Sequence, residues 1–341
     1  MTGSAARPVE TNHVPRELKA YDPHPASPAG RARRGGVSGP KPSWLRIKIR
    51  TGPSYNRLRR LAREQGLATI CEEGRCPNIY ECWSLGTATF MVLGDVCTRR
   101  CGFCAVKTGL PPSPPDRGEP ERLAQAIHRL GLKHAVITSV DRDDLPDGGA
   151  AHFAAVVEAI HRHVPGCAVE VLTPDFKQDP DRALDVVLAA RPAIFSHNIE
   201  TVPELYRTAR PGSRFTSSLD LLRRASARRE EFGGHTKTAM MLGLGETGEQ
   251  VERTIRLVVE AGVDVMTLGQ YLRPSPDHLA VDRYVTPEEF ARWRKLGLEL
   301  GLSHVESGPL VRSSYHAHEQ VPESHRRHGT SERSEAESII S

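Results

Sequence analysis

The stretch Ala88-Thr89-Phe90-Met91-Val92-Leu93-Gly94 leads, after Asp95 and Val96, into Cys97-Thr98-Arg99-Arg100-Cys101-Gly102-Phe103-Cys104. The apolar run closed by Gly94 reads as a buried strand. Its C-terminal end delivers a C-x3-C-x2-C triplet, so three thiols gather at one rim of whatever sheet the strand joins. Upstream, Cys71, Cys76 and Cys82 form a second triplet, C-x4-C-x5-C, in sequence broken by Gly74 and Pro77. These two triplets hold six of the seven cysteines. The seventh, Cys167, stands apart and receives no role, since a lone cysteine is often simply buried.

Downstream of Cys104 the chain alternates. Strand-like runs fall at His134–Val140, Ala168–Thr173, Ala193–His197, Thr238–Leu244 and Val263–Leu268. Helix-like segments separate them at Pro120–Leu130, Ala150–His163, Pro180–Ala190, Ser217–Glu231 and Gly248–Ala261, and Pro287–Gly301 follows. Gly131, Gly233 and Gly262 sit where a helix C-terminus favours a left-handed residue. Thr286 is a candidate cap, with Pro287 at the first helical position. Counting the strand at 88–94, six β/α repeats predict a parallel sheet and a full or partial β/α barrel. Ahead of the barrel, Ser54–Gln65 has Leu58, Leu61, Ala62 and Gln65 at helical spacing, with Arg57, Arg59, Arg60 and Arg63 outside.

Composition narrows the class. The chain has 341 residues, 38% hydrophobic and 26% charged, with a net charge of +4. That balance suits a soluble globular protein and gives no electrostatic case for nucleic acid. No apolar run approaches the roughly 18 residues of a membrane span. The N-terminus has no apolar signal core, and Glu10, Glu17 and Asp22 spoil a transit-peptide pattern. Clustered cysteines without a secretory signal predict a reducing, cytoplasmic setting, where thiols bind metal more often than they pair. Residues 1–42 and 321–341 are polar or Pro/Gly-rich and read as disordered.

In a β/α barrel the chemistry lies at the C-terminal ends of the strands. Those ends read Ser139-Val140-Asp141-Arg142-Asp143-Asp144, Thr173-Pro174-Asp175, His197-Asn198-Ile199-Glu200, Gly243-Leu244-Gly245-Glu246 and Gly269-Gln270-Tyr271. Caps and turns account for some of these, notably Asp181 or Thr247. Asn198 and Glu200, two apart, face the same side if the strand continues through them. Asp141 and Arg142 suit a structural pair at the rim. Structural zinc sites prefer four ligands in paired C-x2-C knuckles, whereas each triplet here has three cysteines and the first lacks any C-x2-C, so iron–sulfur clusters are favoured, with zinc the alternative. A cluster held by three cysteines leaves one iron open to a small molecule.

The triplet Cys97, Cys101, Cys104, with Phe103 before the last cysteine, resembles the radical S-adenosylmethionine superfamily. The resemblance implies a 4Fe-4S cluster whose open iron chelates S-adenosylmethionine. Reductive cleavage then yields a 5′-deoxyadenosyl radical that abstracts hydrogen from unactivated carbon. The chemistry belongs to the cofactor; the protein supplies position and dryness. From about residue 43 to 318 the chain is closer still to the lipoyl synthase family. Cys71-Glu72-Glu73-Gly74-Arg75-Cys76-Pro77-Asn78-Ile79-Tyr80-Glu81-Cys82-Trp83 looks like its auxiliary-cluster motif. Ser139-Val140-Asp141-Arg142-Asp143-Asp144-Leu145-Pro146-Asp147-Gly148-Gly149, His197-Asn198-Ile199-Glu200-Thr201-Val202-Pro203 and Arg312-Ser313-Ser314-Tyr315 match it too.

That family resemblance implies a sulfurtransferase placing sulfur at C6 and C8 of an octanoyl chain. The chain is amide-linked to a lysine of a lipoyl carrier domain or the glycine-cleavage H protein. It implies a second 4Fe-4S cluster, the sulfur donor, on Cys71, Cys76, Cys82 and a serine oxygen. Ser314 is the expected ligand and Ser313 the alternative. Tyr315 and His316 are expected to line that site. Asn198, Glu200, Phe103 and Arg210 are expected to meet S-adenosylmethionine, Arg210 through its carboxylate; a surface role for Arg210 is the alternative. Reduced ferredoxin or flavodoxin and an iron–sulfur carrier protein are implied partners of a monomer. The expected divisions are an N-terminal auxiliary-cluster region (43–87), a barrel (88–303) and a C-terminal ligand segment (304–320). Thr238-Ala239-Met240-Met241, Gly102 and Glu306 depart from the family's usual Ser-Gly-Leu-Met, proline and small residue. A different radical sulfur-inserting enzyme, or a non-catalytic iron–sulfur or zinc protein, is the competing reading.

Overall fold

In a computed structural model the described residues are 36–37, 40–46, 53–64, 68–73, 76, 78–84, 87–315 and 317–320. The expectations for most of 1–42, for 321–341, and for Gly74, Pro77 and His316 fall outside them.

The strands, in chain order, are β1 (Ala68–Thr69), β2 (Thr87–Val92), β3 (Val96–Cys97), β4 (Lys107–Thr108), β5 (His134–Ser139), β6 (Ala168–Leu172), β7 (Ile194–Ser196), β8 (His235–Leu242), β9 (Val265–Gln270) and β10 (His304–Gly308). The main sheet runs β1-β2-β5-β6-β7-β8-β9-β10. Every pair from β2 to β10 is parallel, while β1 lies antiparallel on β2. Its two edge strands, β1 and β10, do not pair with each other, so the sheet forms an open barrel. β3 and β4 form a small separate parallel pair beside the cysteine loop.

The six predicted repeats are all present, and β10 is a seventh parallel strand. Its sequence, His304-Val305-Glu306-Ser307-Gly308, has a single large apolar residue and no strand signal. Pairing with β9, residue for residue from His304↔Val265 to Gly308↔Gly269, supplies the order that its composition does not.

Helices cover the outside for ordinary local reasons. Gly131, Gly233 and Gly262 all take left-handed φ at helix ends, as expected. Thr286 accepts from the Glu289 amide, and Thr247 makes a full capping box with Gln250. The cap of Pro180–Ala189 is Asp179, not Asp181, which sits in the first turn and pairs with Arg224. The expected helix 217–231 is two pieces, Phe215–Ala227 and Arg229–Phe232, broken at Arg228 (φ −108°, ψ 13°). Two large apolar clusters result. One packs β2, β5 and β6 against helices Glu119–Leu130, Ala150–His163 and Pro180–Ala189; the other packs β8 to β10 against Gly248–Glu260 and Pro287–Glu299. Among the described residues no helix is long and apolar enough to cross a membrane.

The barrel interior also holds charge. Lys237 of β8 donates to Glu170 of β6 at 3.0 Å, both side chains being 0% exposed. His134 of β5 lies 3.7 Å from the same carboxylate. Burial works against ionising Glu170, but Lys237 and His134 outweigh it and hold the carboxyl below its usual range. A buried pair of this kind contributes little net stability, yet leaving half of it is costly. Lys237→Met should therefore destabilise by about 3–5 kcal/mol. The double variant Lys237→Met/Glu170→Gln should recover more than half of that loss, read from urea unfolding midpoints.

Candidate active site

The barrel cysteines stand where strand order predicts. After β2 the chain turns through Leu93 and Gly94, both at positive φ, and presents Cys97, Cys101 and Cys104 to a cavity of about 250 Å³ at the strand C-termini. The backbone amides of Arg99 and Asp141 donate to Cys97 Sγ at 3.4 and 3.3 Å. Donors aimed at a sulfur suit a thiolate ligand. Burial first, then the neighbouring Asp141 carboxylate, pushes the Cys97 thiol up to about 12; burial also raises Cys101 and Cys104.

The loop carrying them is fixed by Arg99. This guanidinium, 3% exposed, donates twice to Asp143 at 2.7 Å, to Asp175 at 2.6 Å and to Ser213 Oγ at 2.9 Å, with Asp141 at 3.4 Å. Arg99 thus joins the cysteine loop to the ends of β5 and β6 and to the segment after Arg210. Sequence reading noted the acids but missed the arginine. Arg142 pairs with Asp144 rather than Asp141, so the expected rim pair is replaced by Arg99–Asp141–Asp143–Asp175 and Arg142–Asp144. Gly102 has its own reason. Its N–H donates to Ala209 O at 2.8 Å, which proline cannot do, and a Cβ there would meet Leu279 at 2.9 Å.

Asn198 and Glu200 do point together, through a different backbone from the one expected. β7 stops at Ser196, and Glu200 adopts φ +66°. That left-handed conformation costs of order 1 kcal/mol for a side-chain-bearing residue. Two backbone bonds hold it, Glu200 N to Ala239 O (3.0 Å) and Met241 N to Glu200 O (2.8 Å). Asn198 Nδ2 then reaches Glu200 Oε1 at 3.1 Å. Arg210 is buried, not on the surface, and its Nη1 donates to Asn198 O at 2.9 Å. Asn198 Oδ1 and Arg210 Nε are buried without hydrogen-bond partners, and both residues line the cavity with Phe103. Orphaned donors and acceptors beside an apolar wall fit a ligand with a carboxylate, an ammonium and hydroxyls.

The first triplet builds a second, narrower cavity. Cys71 lies on the turn of helix Ile70–Glu73, Cys82 on helix Ile79–Ser84, and the Cys76 amide bonds back to Cys71 O at 3.0 Å. Burial and then Cys76 push Cys71 up to about 11; Cys82 is raised by burial and by both other thiols. A C-terminal strap closes the cavity. Asn78 Nδ2 holds Leu310 O at 2.6 Å, and Tyr315 Oη donates to Glu81 at 3.1 Å. Ser314, Arg312 and Tyr315 line this cavity, whereas Ser313 lines the barrel cavity. Among the described residues no three His, Cys, Asp or Glu side chains converge on one ion. Cys167 is buried and belongs to neither set.

Two family models match this architecture. Residues 91–258 match the radical SAM superfamily, the class that the barrel and its cysteine loop define. Residues 27–76 match the N-terminal domain of lipoyl synthase. A lipoyl synthase of Rubrobacter xylanophilus is 58% identical over 84% of this chain and 88% of its own length. One from Koribacter versatilis is 52% identical over 89% of this chain and 96% of its own. The chain belongs to the lipoyl synthase family. Among solved structures, a methylornithine synthase aligns at 14% identity with a TM-score of 0.44, over 82% of this chain and 85% of that one.

Behind Asn198, His197 is fully buried between Thr173 O (2.8 Å) and Ser218 Oγ (2.9 Å). Burial first, then the Arg210 charge, lowers its pKa from 6.5 to about 4. The unfolded chain then binds a proton that the folded chain refuses, so stability falls as pH drops from 6.5 towards 4. The slope from this group approaches about 1.4 kcal/mol per pH unit, about 3 kcal/mol in all. His197→Gln should flatten that part of the curve, measured by urea unfolding at several pH values.

Proposed function

We propose that the chain inserts two sulfur atoms, at C6 and C8, into a protein-bound octanoyl-lysine to give lipoyl-lysine, with S-adenosylmethionine as cosubstrate. One observation carries the reading: Ser313 and Ser314 are neighbours on one strap, and they line the two separate three-cysteine cavities. A radical formed in the barrel and a sulfur donor behind the strap thus lie on either side of a thin wall.

Cys97, Cys101 and Cys104 hold one 4Fe-4S cluster in this reading. Cys71, Cys76, Cys82 and Ser314 hold the other. Bound there, the clusters supply one-electron reduction of the sulfonium and transferable sulfur. The chain's own residues do the rest. Asn198 and Glu200 take the polar half of S-adenosylmethionine, Phe103 packs beside it, and Arg210 receives its carboxylate in a bidentate fork. Ile70, Met91, Val106, Val140 and Leu172 give the same cavity an apolar wall for an alkyl chain and keep water from the reacting carbon. Ser314 offers a hard oxygen to a soft cluster, a ligand more easily lost than thiolate.

The substrate side is an octanoylated carrier, a lipoyl domain or the glycine-cleavage H protein. Reduced ferredoxin or flavodoxin as reductant, an iron–sulfur carrier for repair, a monomeric state and a cytoplasmic location complete the proposal. The segment divisions go with it: 43–87 and 304–320 enclose the auxiliary cluster around the barrel of 88–303, although His304–Gly308 is also its edge strand.

Cys101→Ala should yield no methionine and no 5′-deoxyadenosine in a reductant assay. Cys76→Ala and Ser314→Ala should still cleave S-adenosylmethionine but give less than about a hundredth of the lipoyl product. Ser313→Ala should keep most of it. Lipoyl product from Cys76→Ala would refute the sulfur-donor assignment.

A further inference from the structure

Arg210 is reached from inside the fold by a chain of hydrogen bonds that runs in one direction when His197 is neutral. The Thr173 carbonyl can only accept, so His197 donates to it from Nδ1 at 2.8 Å. In the neutral imidazole Nε2 then accepts, and Ser218 Oγ donates to it at 2.9 Å. Ser218, its proton committed, accepts from Tyr206 Oη at 2.9 Å. Tyr206, its proton committed in turn, accepts from Arg210 Nη1 at 3.2 Å. The same Nη1 also donates to Asn198 O. Every member from Thr173 to Arg210 is buried.

We infer that His197, Ser218 and Tyr206 are positioning residues that set the Arg210 guanidinium edge-on to the barrel cavity for a carboxylate. The two bonds occupy Nη1, so the Nε–Nη2 edge is the fork left for ligand. Nε is buried and unpartnered on that edge. The chain holds one proton arrangement throughout: His197 stays neutral because its pKa is lowered to about 4, and burial raises Tyr206 so that it remains a phenol. Tyr206 is held further by an edge-on contact with Phe215, ring centroids 5.6 Å apart. Helix Phe215–Ala227, which carries Ser218 and packs outside the sheet, thereby reaches the cosubstrate pocket through two side chains.

The inference rests on the proposed Arg210–carboxylate contact, and the test separates the two. The reconstituted full-length protein is titrated with S-adenosylmethionine and with its decarboxylated analogue, which keeps the sulfonium and adenosine. Tyr206→Phe and Ser218→Ala should each weaken S-adenosylmethionine by about 5- to 10-fold while the analogue changes by less than about twofold. In turnover the loss should fall on KM rather than kcat. Ser218→Thr, which keeps the hydroxyl, should restore the preference. Unchanged affinity for S-adenosylmethionine in Tyr206→Phe and Ser218→Ala, with the preference lost only in Arg210→Ala, would overturn the relay and leave the carboxylate contact standing. An Arg210→Ala variant that weakens both ligands equally would overturn the contact itself.

Discussion

A guanidinium withdrawn from water must find its counter-charges inside the protein, and Arg99 finds three. Asp141 and Asp143, on the segment that follows β5, and Asp175, on the one that follows β6, surround it. Arg99 itself lies between Cys97 and Cys101. The thiol loop, which has almost no regular structure beyond the short β3–β4 pair, therefore takes its shape from charges carried by β5 and β6. Gly102 adds a backbone bond to Ala209 and receives one from Leu279, so the loop is also tied to the segment that carries Arg210. The positions of the cysteines and of Arg210 are set by one connected framework rather than by two independent ones.

The second organising feature is the wall between the cavities. Ile70 faces the barrel cavity while Cys71 faces the auxiliary one; Ser313 and Ser314 repeat the arrangement, and Thr89 of β2 borders both. The chain puts two sites side by side by sending adjacent residues to opposite faces, once on the N-terminal side and once on the C-terminal strap. Asn78–Leu310 and Tyr315–Glu81 hold these two distant pieces of sequence together. The strap can reach this place because β10 first delivers the chain along the open edge of the sheet.

Much of this was legible in the sequence. Strands buried on both faces read as continuous apolar runs, and glycines at left-handed helix ends marked the boundaries. The thiols were legible because spacing after a strand carries the chemistry directly. What was not legible depends on contacts between distant residues. β10 has no apolar period, and only β9 makes it a strand. Lys237 and Glu170 look like interruptions of their strands until the fold pairs them. Nothing local distinguishes the buried Arg99 from its exposed neighbour Arg100. That Ser313 and Ser314 line different cavities likewise depends on the strap's path. Asn198 and Glu200 were correctly paired, yet by a left-handed turn at Glu200 instead of strand alternation.

The central claim is that one chain holds two separate clusters, one on each cysteine triplet. Iron and acid-labile sulfide per chain, measured after anaerobic reconstitution, test it most directly. The comparison is between the wild type and a variant with Cys97, Cys101 and Cys104 all changed to Ala. The account predicts about eight of each in the wild type and about four in the variant. About four in the wild type, or zinc in place of iron, would contradict it.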